Sequence, residues 1–209
     1  MSSADLVRTL AVPEFTAESV VVRSRFVCTV YRVGDEAEVR ERVAARRRAR
    51  WGASHHCTAY VLDGGAVARS SDDGEPAGTA GAPMLEVLRG RGLSGVLAVV
   101  TRYFGGVKLG AGGLVRAYGA AVSSAVEGAG TVVLAVWQRL RVRVDYGRAG
   151  SLEGLLRLRE DVRLCGVDYG SAVVFDVACA DVEVFASWLA SQTSGGAELE
   201  PAGSLRVEL

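Results

Sequence analysis

After Trp137 the alternation of apolar and polar residues starts afresh and runs to the end of the chain as one complete unit. Leu140, Val142, Val144 and Tyr146 alternate with Arg139, Arg141, Arg143 and Asp145, which describes a strand with one dry and one wet face. A helix follows from Ser151 to Glu160, then strands from Val162 to Tyr169 and Ala172 to Cys179 about a turn at Gly170. Asp181 is placed to cap a helix whose Val184, Phe185, Trp188 and Leu189 share a face, and Ser204 to Leu209 alternates as a last strand. The order β-α-β-β-α-β is that of a ferredoxin-like domain, so residues 138–209 are expected to build their own sheet and core. A modest charge shift falls at the same place: residues 1–137 carry 16 basic and 13 acidic side chains, residues 138–209 carry 8 and 11.

Residues 1–137 repeat the theme of alternating strands and helices. Ser19 to Val33 and Cys57 to Leu62 are rich in β-branched and aromatic residues and read as strands. Between them Asp35 and Glu38 form a capping-box-like start, Glu36/Arg40 and Glu38/Arg42 are spaced as i,i+4 pairs, and the helix ends near Arg50. Its last turn holds Arg46, Arg47, Arg48 and Arg50, where cations suit the negative end of the helix dipole. A short helix bounded by Pro83 and Gly90 follows, and Gly95 to Tyr103 is an apolar run expected to be a strand buried on both faces. A helix from Leu114 to about Glu127 and a strand from Thr131 to Val136 close the unit. The fold class expected is α+β in two domains, 1–137 and 138–209.

Composition excludes several classes of protein. Lysine plus arginine balances aspartate plus glutamate at 24 each, so the chain has neither a basic coat for nucleic acid nor an acidic tail, and any basic site must be local. Cysteines at 28, 57, 165 and 179 form no C-x-x-C pair, which argues against a zinc or disulfide framework and for reduced, mostly buried thiols. The opening MSSADLVRTLAVPEF lacks the pattern of a secretory signal, and the charge-poor stretch Ala117 to Trp137 is broken by Glu127, serines and glycines. A cytoplasmic protein with no membrane partner is expected. The chain contains no Ile, no Asn and one lysine, Lys108, beside 23 arginines. In such a codon-biased chain most arginines stand where lysine would serve, and the lysine that remains is a candidate for chemical need.

Two glycine-rich loops, each feeding a helix, are the strongest local signals. The first is SSDDGEPAGTAG at 70–81, the second RYFGGVKLGAGG at 102–113. Glycine lets a backbone approach a ligand or turn through positive φ, and the amides at a helix start attract anions. Neither loop matches a P-loop or a dinucleotide fingerprint, so tight structural turns and an anion cradle both stand. Arg116 is expected in the first turn of the following helix, where a cation opposes the dipole. With Arg102 and Lys108 it either surrounds an anion or pairs with Asp72, Asp73 or Glu75 of the other loop. Those acidic residues also match hard-cation ligands, although Asp-, Ser- and Gly-rich loops are usually Asx turns. His55, His56 and Cys57 open a strand, so neighbours diverge, and a packed or capping role for His56 and Cys57 is expected over a nucleophile pair.

Ser24-Arg25-Phe26, His55-His56-Cys57, the run SSDDGEPAGTAG with Pro83, and above all VVTRYFGGVKLGAGGLVRAYG at 99–119 resemble the IMPACT family in its bacterial YigZ-like branch. The resemblance spans about residues 15–130. It implies an N-terminal β/α domain similar to the second domain of a small-subunit ribosomal protein, and a C-terminal domain similar to the last domain of elongation factor G. Eukaryotic relatives are translational regulators that act by protein binding, and the resemblance points in that direction. Their additional N-terminal recognition domain has no counterpart here, so their partner does not carry over.

The reading that results is a cytoplasmic binding protein of the translation apparatus, with the ribosome, RNA or a translation factor as partner. Arg102, Tyr103, Phe104, Gly105, Gly106, Lys108, Gly110, Gly112, Gly113 and Arg116 are expected to hold RNA phosphate or a factor-bound anion. Ser71, Asp72, Asp73, Gly74, Glu75 and Thr79 form the acidic side of the cleft, with His56 nearby. No catalytic residue, metal or cofactor is expected, because serine-hydrolase, zinc and kinase signatures are missing. The alternatives are an enzyme acting on a phosphorylated small molecule and a protein-interaction regulator using the Arg46 to Arg50 helix end.

Overall fold

The structure is a computed structural model and describes residues 6–208. The first residues of the stretch read for a targeting signal and Leu209 of the last expected strand lie outside the described residues. Contacts divide the chain into one unit of Val7–Val133 and a second from Leu134 onward, joined by Leu6. The division falls inside a single strand, Thr131–Val144, where two separate strands were expected. Glycine or proline is missing from this stretch, so nothing in it interrupts the extended backbone.

In the first unit β1 (Leu6–Leu10) precedes a sheet built from β2 (Glu14–Val21), β3 (Ser24–Arg32), β4 (His55–Leu62), β5 (Val67–Ser71) and β6 (Val96–Tyr103). The order is β2-β3-β6-β4-β5, and every neighbouring pair is antiparallel. The expected strand Ser19 to Val33 is instead a hairpin. Val22 and Arg23 both take positive φ (45° and 67°), the geometry of a two-residue turn matched to strand twist, here without the usual Asn or Gly.

Helices α1 (Glu36–Ala49), α2 (Gly81–Gly90) and α3 (Ala111–Ala129) cover both faces of this sheet. On one face Phe26, Cys28, Val30, Cys57, Ala59, Val96, Ala98 and Val100 pack with Met84 and Leu88 of α2 and Leu114, Tyr118 and Val122 of α3. On the other, Tyr31, Leu97 and Val99 meet Val39 of α1. This explains the unbroken apolar character of β6, whose alternate residues enter different cores. Each large apolar side chain so buried contributes about 1.5–3 kcal/mol.

The second unit contains the rest of β7 (Thr131–Val144), α4 (Tyr146–Arg157), β8 (Val162–Tyr169), β9 (Val173–Cys179), α5 (Val182–Thr193) and β10 (Glu198–Glu208). Strand β7 is shared by a five-stranded sheet of order β1-β7-β9-β8 in which β10 also pairs with β7, and the β10-β7-β9-β8 portion is antiparallel in the order of a ferredoxin-like domain. Leu140, Val142, Val144, Phe175 and Val177 pack under Leu152 and Leu156 of α4 and Phe185 and Leu189 of α5. Tyr146 was expected to continue the strand but begins α4, because Asp145 accepts the Arg148 amide and caps the helix. Val184 was expected on the buried face of α5 but is exposed, while Asp181 caps that helix through the Val184 amide. On the sheet face opposite the helices Arg139 pairs with Asp176, and Arg141, Arg143, Asp168, Asp176 and Glu200 line a concavity of about 520 Å3.

Candidate functional site

The two glycine-rich loops meet at one end of the first sheet. Register places His55 opposite Arg102 and Arg102 opposite Phe26, so these residues of β4, β6 and β3 form a row across the sheet. Arg102 shares the alternation of Val96, Ala98 and Val100 and therefore points into the core beneath α3. It is not a surface cation. Its Nη1 donates to Glu75 Oε1 (2.6 Å), and its Nη2 donates to Ser24 Oγ (3.3 Å). The side chains of Arg102 and Glu75 are only 6% and 3% exposed. The guanidinium lies over the rings of Phe26 and Phe104, 5.5 and 5.6 Å from their centroids.

Tyr118 completes this buried group. Its hydroxyl donates to Glu75 Oε1 (2.7 Å), and its ring packs edge-on against Phe26. Cys57 Sγ lies 2.9 Å from the Asp72 carbonyl and 3.3 Å from the Tyr118 hydroxyl, either of which accepts its proton. Burial pushes the Cys57 thiol up to about 12, and the Glu75, Asp73 and Asp72 charges push it the same way against the Tyr118 hydrogen bond. The thiolate needed for nucleophilic attack is therefore suppressed at neutral pH. Burial likewise raises the Tyr118 phenol above its ordinary value, with neighbouring Cys57 and Glu75 adding to the effect.

The remaining acidic residues are each taken by the fold. Asp72 Oδ1 accepts the Ala80 and Gly81 amides and Oδ2 the Gly78 amide, so its carboxylate sits on the start of α2. Burial alone would raise its pKa, but those three amides outweigh it and hold the carboxyl below the usual aspartate value. Asp73 accepts the His56 amide (2.7 Å) and pairs with Arg47, while its own amide donates to Ser71 Oγ. Gly74 follows with φ of 86°, and Thr79 Oγ1 donates to the Pro76 carbonyl. His55 donates from Nδ1 to the Asp73 carbonyl, leaving Nε2 3.9 Å from Glu75 Oε1. Among the described residues no group of three or more His, Cys, Asp and Glu is placed to hold a metal.

His56 and Cys57 point to opposite sides of β4: His56 Nδ1 is 3.2 Å from Thr101 Oγ1. Burial first, then the nearby Arg47 charge, lowers the His56 pKa from its ordinary value. Of the helix-end arginines, Arg46 is held by Tyr31, Thr29 and Glu14, and Arg47 by Asp73. Two of the four cations that would have faced a partner thus brace the sheet and the loop.

The second loop is anchored at its start and open beyond it. Gly105 donates its amide to Ser24 Oγ, and a Cβ there would collide with the Arg23 carbonyl. Phe104 donates its amide to Ser54 Oγ, and Arg25 lies over the Tyr103 ring. Gly106, Lys108, Gly110, Gly112 and Arg116 are exposed. Helix α3 begins at Ala111, three residues before the expected start, so Arg116 lies in its second turn and not its first. Its guanidinium nonetheless folds back along Gly112, with Nη1 3.7 Å from where a Cβ would stand. Gly110 is the N-cap with φ of 71°, and among the described residues no side chain caps α3 and no acidic residue occupies its first turn. Lys108 and Arg116 form no ion pair among the described residues, whereas Arg102 belongs to the core. The three cations do not surround one point.

Tyr118, Ser54 and Trp51 were not among the expected site residues, and Ser24 entered only through the Ser24-Arg25-Phe26 motif. For Tyr118 a signal existed: a tyrosine on a helix face of alanines and valines brings a hydroxyl that needs a buried partner.

Comparison with known proteins covers both units. The Impact N-terminal domain matches residues 22–126, and a domain of unknown function, DUF1949, matches residues 142–195. The chain is 40% identical over 186 residues to IMPACT family member YvyE of Bacillus subtilis, covering 88% of this chain and 85% of that one. It is 35% identical over 189 residues to IMPACT family member YigZ of Escherichia coli, covering 88% and 92%. A crystal structure of a hypothetical protein, 33% identical, superimposes with a TM-score of 0.67 over 93% of this chain and 96% of that one.

Proposed function

The chain belongs to the IMPACT family, and from that premise we propose that it is a regulatory binding protein of the translation apparatus that holds an RNA phosphate at the start of α3, between Lys108 and Arg116. The observation that carries this reading is the treatment of the helix starts. Asp35, Asp145 and Asp181 cap α1, α4 and α5, and Asp72 takes the first amides of α2. At α3 the N-cap is Gly110, the exposed Lys108 stands two residues before it, and the Arg116 guanidinium is laid back over Gly112. Positive dipole end and positive side chains gather where a carboxylate stands elsewhere, an arrangement that a phosphate completes. Lys108 offers a compact, mobile ammonium in a chain that otherwise uses arginine.

In this reading the acidic loop is the frame of the site. Glu75 neutralises Arg102, Asp72 organises α2, and Asp73 ties α1 to β4, which fixes the loop that carries Lys108. The test is titration of wild type, Lys108→Ala and Arg116→Ala with ribosomal RNA fragments and with nucleotides at two salt concentrations. Binding of RNA should fall steeply with salt, and each substitution should flatten the log–log slope by about 0.7 to 0.9. Saturable, weakly salt-dependent binding of a nucleotide would instead favour a small phosphorylated ligand. Wild-type binding to neither class would refute the site.

A further inference from the structure

We infer that Phe104 and Trp51 form a stacking platform for unpaired bases, so that the chain takes single-stranded rather than duplex RNA; the inference rests on the phosphate reading for its polarity but on different residues for its geometry. Trp51 is 87% exposed and Phe104 51% exposed, in a unit whose other large aromatic rings contribute to its cores or partner its arginines. Neither is a loose surface residue.

Phe104 has one face against the Arg102 guanidinium, which is itself fixed by Glu75 and Ser24. The ring is therefore held by an immobile cation while the rest of it faces out. Trp51 sits on a tight turn closed by the Ala53 amide donating to the Arg50 carbonyl. That turn is pinned to the end of β6 twice: the Ser54 amide donates to the Arg102 carbonyl, and Ser54 Oγ accepts the Phe104 amide. Only Gly52 and Ala53 separate Trp51 from Ser54, three steps along the chain that reach about 10–11 Å at most. The two rings thus belong to adjoining loops with little freedom to separate. Both would lose little side-chain entropy on stacking, because their loops are already ordered.

Charge identifies the occupant. The β2–β3 turn abuts Gly105 through the Arg23 carbonyl and Ser24 Oγ, which brings exposed Arg23 to the same edge. Lys108 lies four residues beyond Phe104, and Arg48 three residues before Trp51. Among the described residues Arg23, Arg48 and Lys108 form no ion pair, while the carboxylates of these loops are engaged by Arg47, Arg102 and the α2 amides. Exposed aromatic faces flanked by free cations, with no free carboxylate beside them, match a base-and-phosphate strand. A duplex hides its base faces within its own stack and offers such rings nothing. Rings and cations do not distinguish ribose from deoxyribose, so single-stranded DNA should bind as RNA does.

Trp137 and Trp188 are buried or half-buried, which leaves Trp51 as the exposed emitter. The full chain would be titrated with short oligouridylate, oligothymidylate and duplex RNA while following tryptophan fluorescence. Both single strands should quench it, and the duplex should not. Trp51→Ala and Phe104→Ala should each weaken oligouridylate binding by roughly five- to a hundredfold, with Trp51→Phe recovering part of the loss. Trp51→Ala stands at an exposed tip and keeps the fold, which a thermal melt checks. If both alanine variants bind oligouridylate as wild type does while Lys108→Ala weakens it, the platform is wrong and the phosphate reading survives. If Trp51→Ala weakens binding and Lys108→Ala and Arg116→Ala leave its salt slope unchanged, the phosphate reading is wrong and the platform survives. Duplex RNA that binds as tightly and quenches Trp51 equally overturns the platform, and so does wild type that binds no nucleic acid.

Discussion

Glu75→Gln tests whether the acidic loop is a frame held by a buried ion pair. The substitution keeps the shape of the side chain but leaves the Arg102 guanidinium, 6% exposed, without its counter-charge, and removes the anionic acceptor of the Tyr118 hydroxyl. Breaking a buried pair by removing one partner costs about 3–5 kcal/mol. For a unit of this size each kcal/mol corresponds to about 3–5 °C, so the first unit's melting temperature should fall by about 10–20 °C. Tyr118→Phe keeps the packing against Phe26 and loses the hydrogen bond to the charged Glu75, about 1.5–3 kcal/mol, together with the weak one from Cys57. The discriminating experiment is a double-substitution cycle: Glu75→Leu with Arg102→Met should be closer to wild type than either single change, since the uncompensated charge is gone. Calorimetry or circular dichroism on all the variants reads the result. A Glu75→Gln protein that melts with wild type would refute the buried-pair argument, and with it the claim that this loop positions the second one.

Four further outcomes are expected. Asp72 has a folded pKa below its unfolded one, so its contribution is present above the unfolded carboxylate pKa and is lost as pH falls through the folded value. Asp72→Asn should flatten the acid limb of stability and cost about 1–2 kcal/mol at neutral pH, read by urea melts across the pH range. His56 favours its neutral form when folded, so stability should be full above 6.5 and decline as pH drops below it toward the folded value; His56→Gln should remove that slope in the same melts. Gly105→Ala meets backbone atoms of Arg23 and Ser24, which no rotamer change relieves, and should lower stability by about 1–3 kcal/mol in thermal unfolding. Residues 131–209 expressed alone should melt cooperatively by circular dichroism, because the core of Val142, Phe175, Leu156 and Phe185 lies wholly within them.

Much of the fold was legible because its elements announce themselves locally. The sharp Gly-bounded helix ends, the alternation of β7 and the apolar run of β6 all express one element's own burial pattern. What was not legible depended on backbone geometry without a residue signature. Val22 and Arg23 adopt positive φ in a turn that Gly or Asn would normally mark, so two strands read as one. Gly112 and Gly113 are weak helix formers, and α3 extends back through them to Ala111 because the rest of its apolar face is already committed to the core.

The meeting of the two loops was legible in the sequence and the part Arg102 plays between them was not. Its parity with Val96, Ala98 and Val100 was available in the sequence and points it inward, yet a charge at the end of an apolar strand reads naturally as the first solvent-facing residue. Register sets His55, Arg102 and Phe26 in one row, and Glu75 of the acidic loop supplies the buried acceptor that makes an inward arginine tolerable. Once Arg102 is removed from the set of free cations, the alternatives left open for the loops separate by residue. The acidic loop's charges answer to Arg102, Arg47 and the amides of α2, whereas among the described residues Lys108 and Arg116 form no ion pair and stand at a helix start without a side-chain cap. The same buried arginine supports Phe104 from behind. One ion pair therefore holds the frame and backs the ring, which is why Glu75, far from any surface contact, should affect nucleic-acid binding through both, and lose only the part that runs through the ring when Phe104 is replaced by alanine.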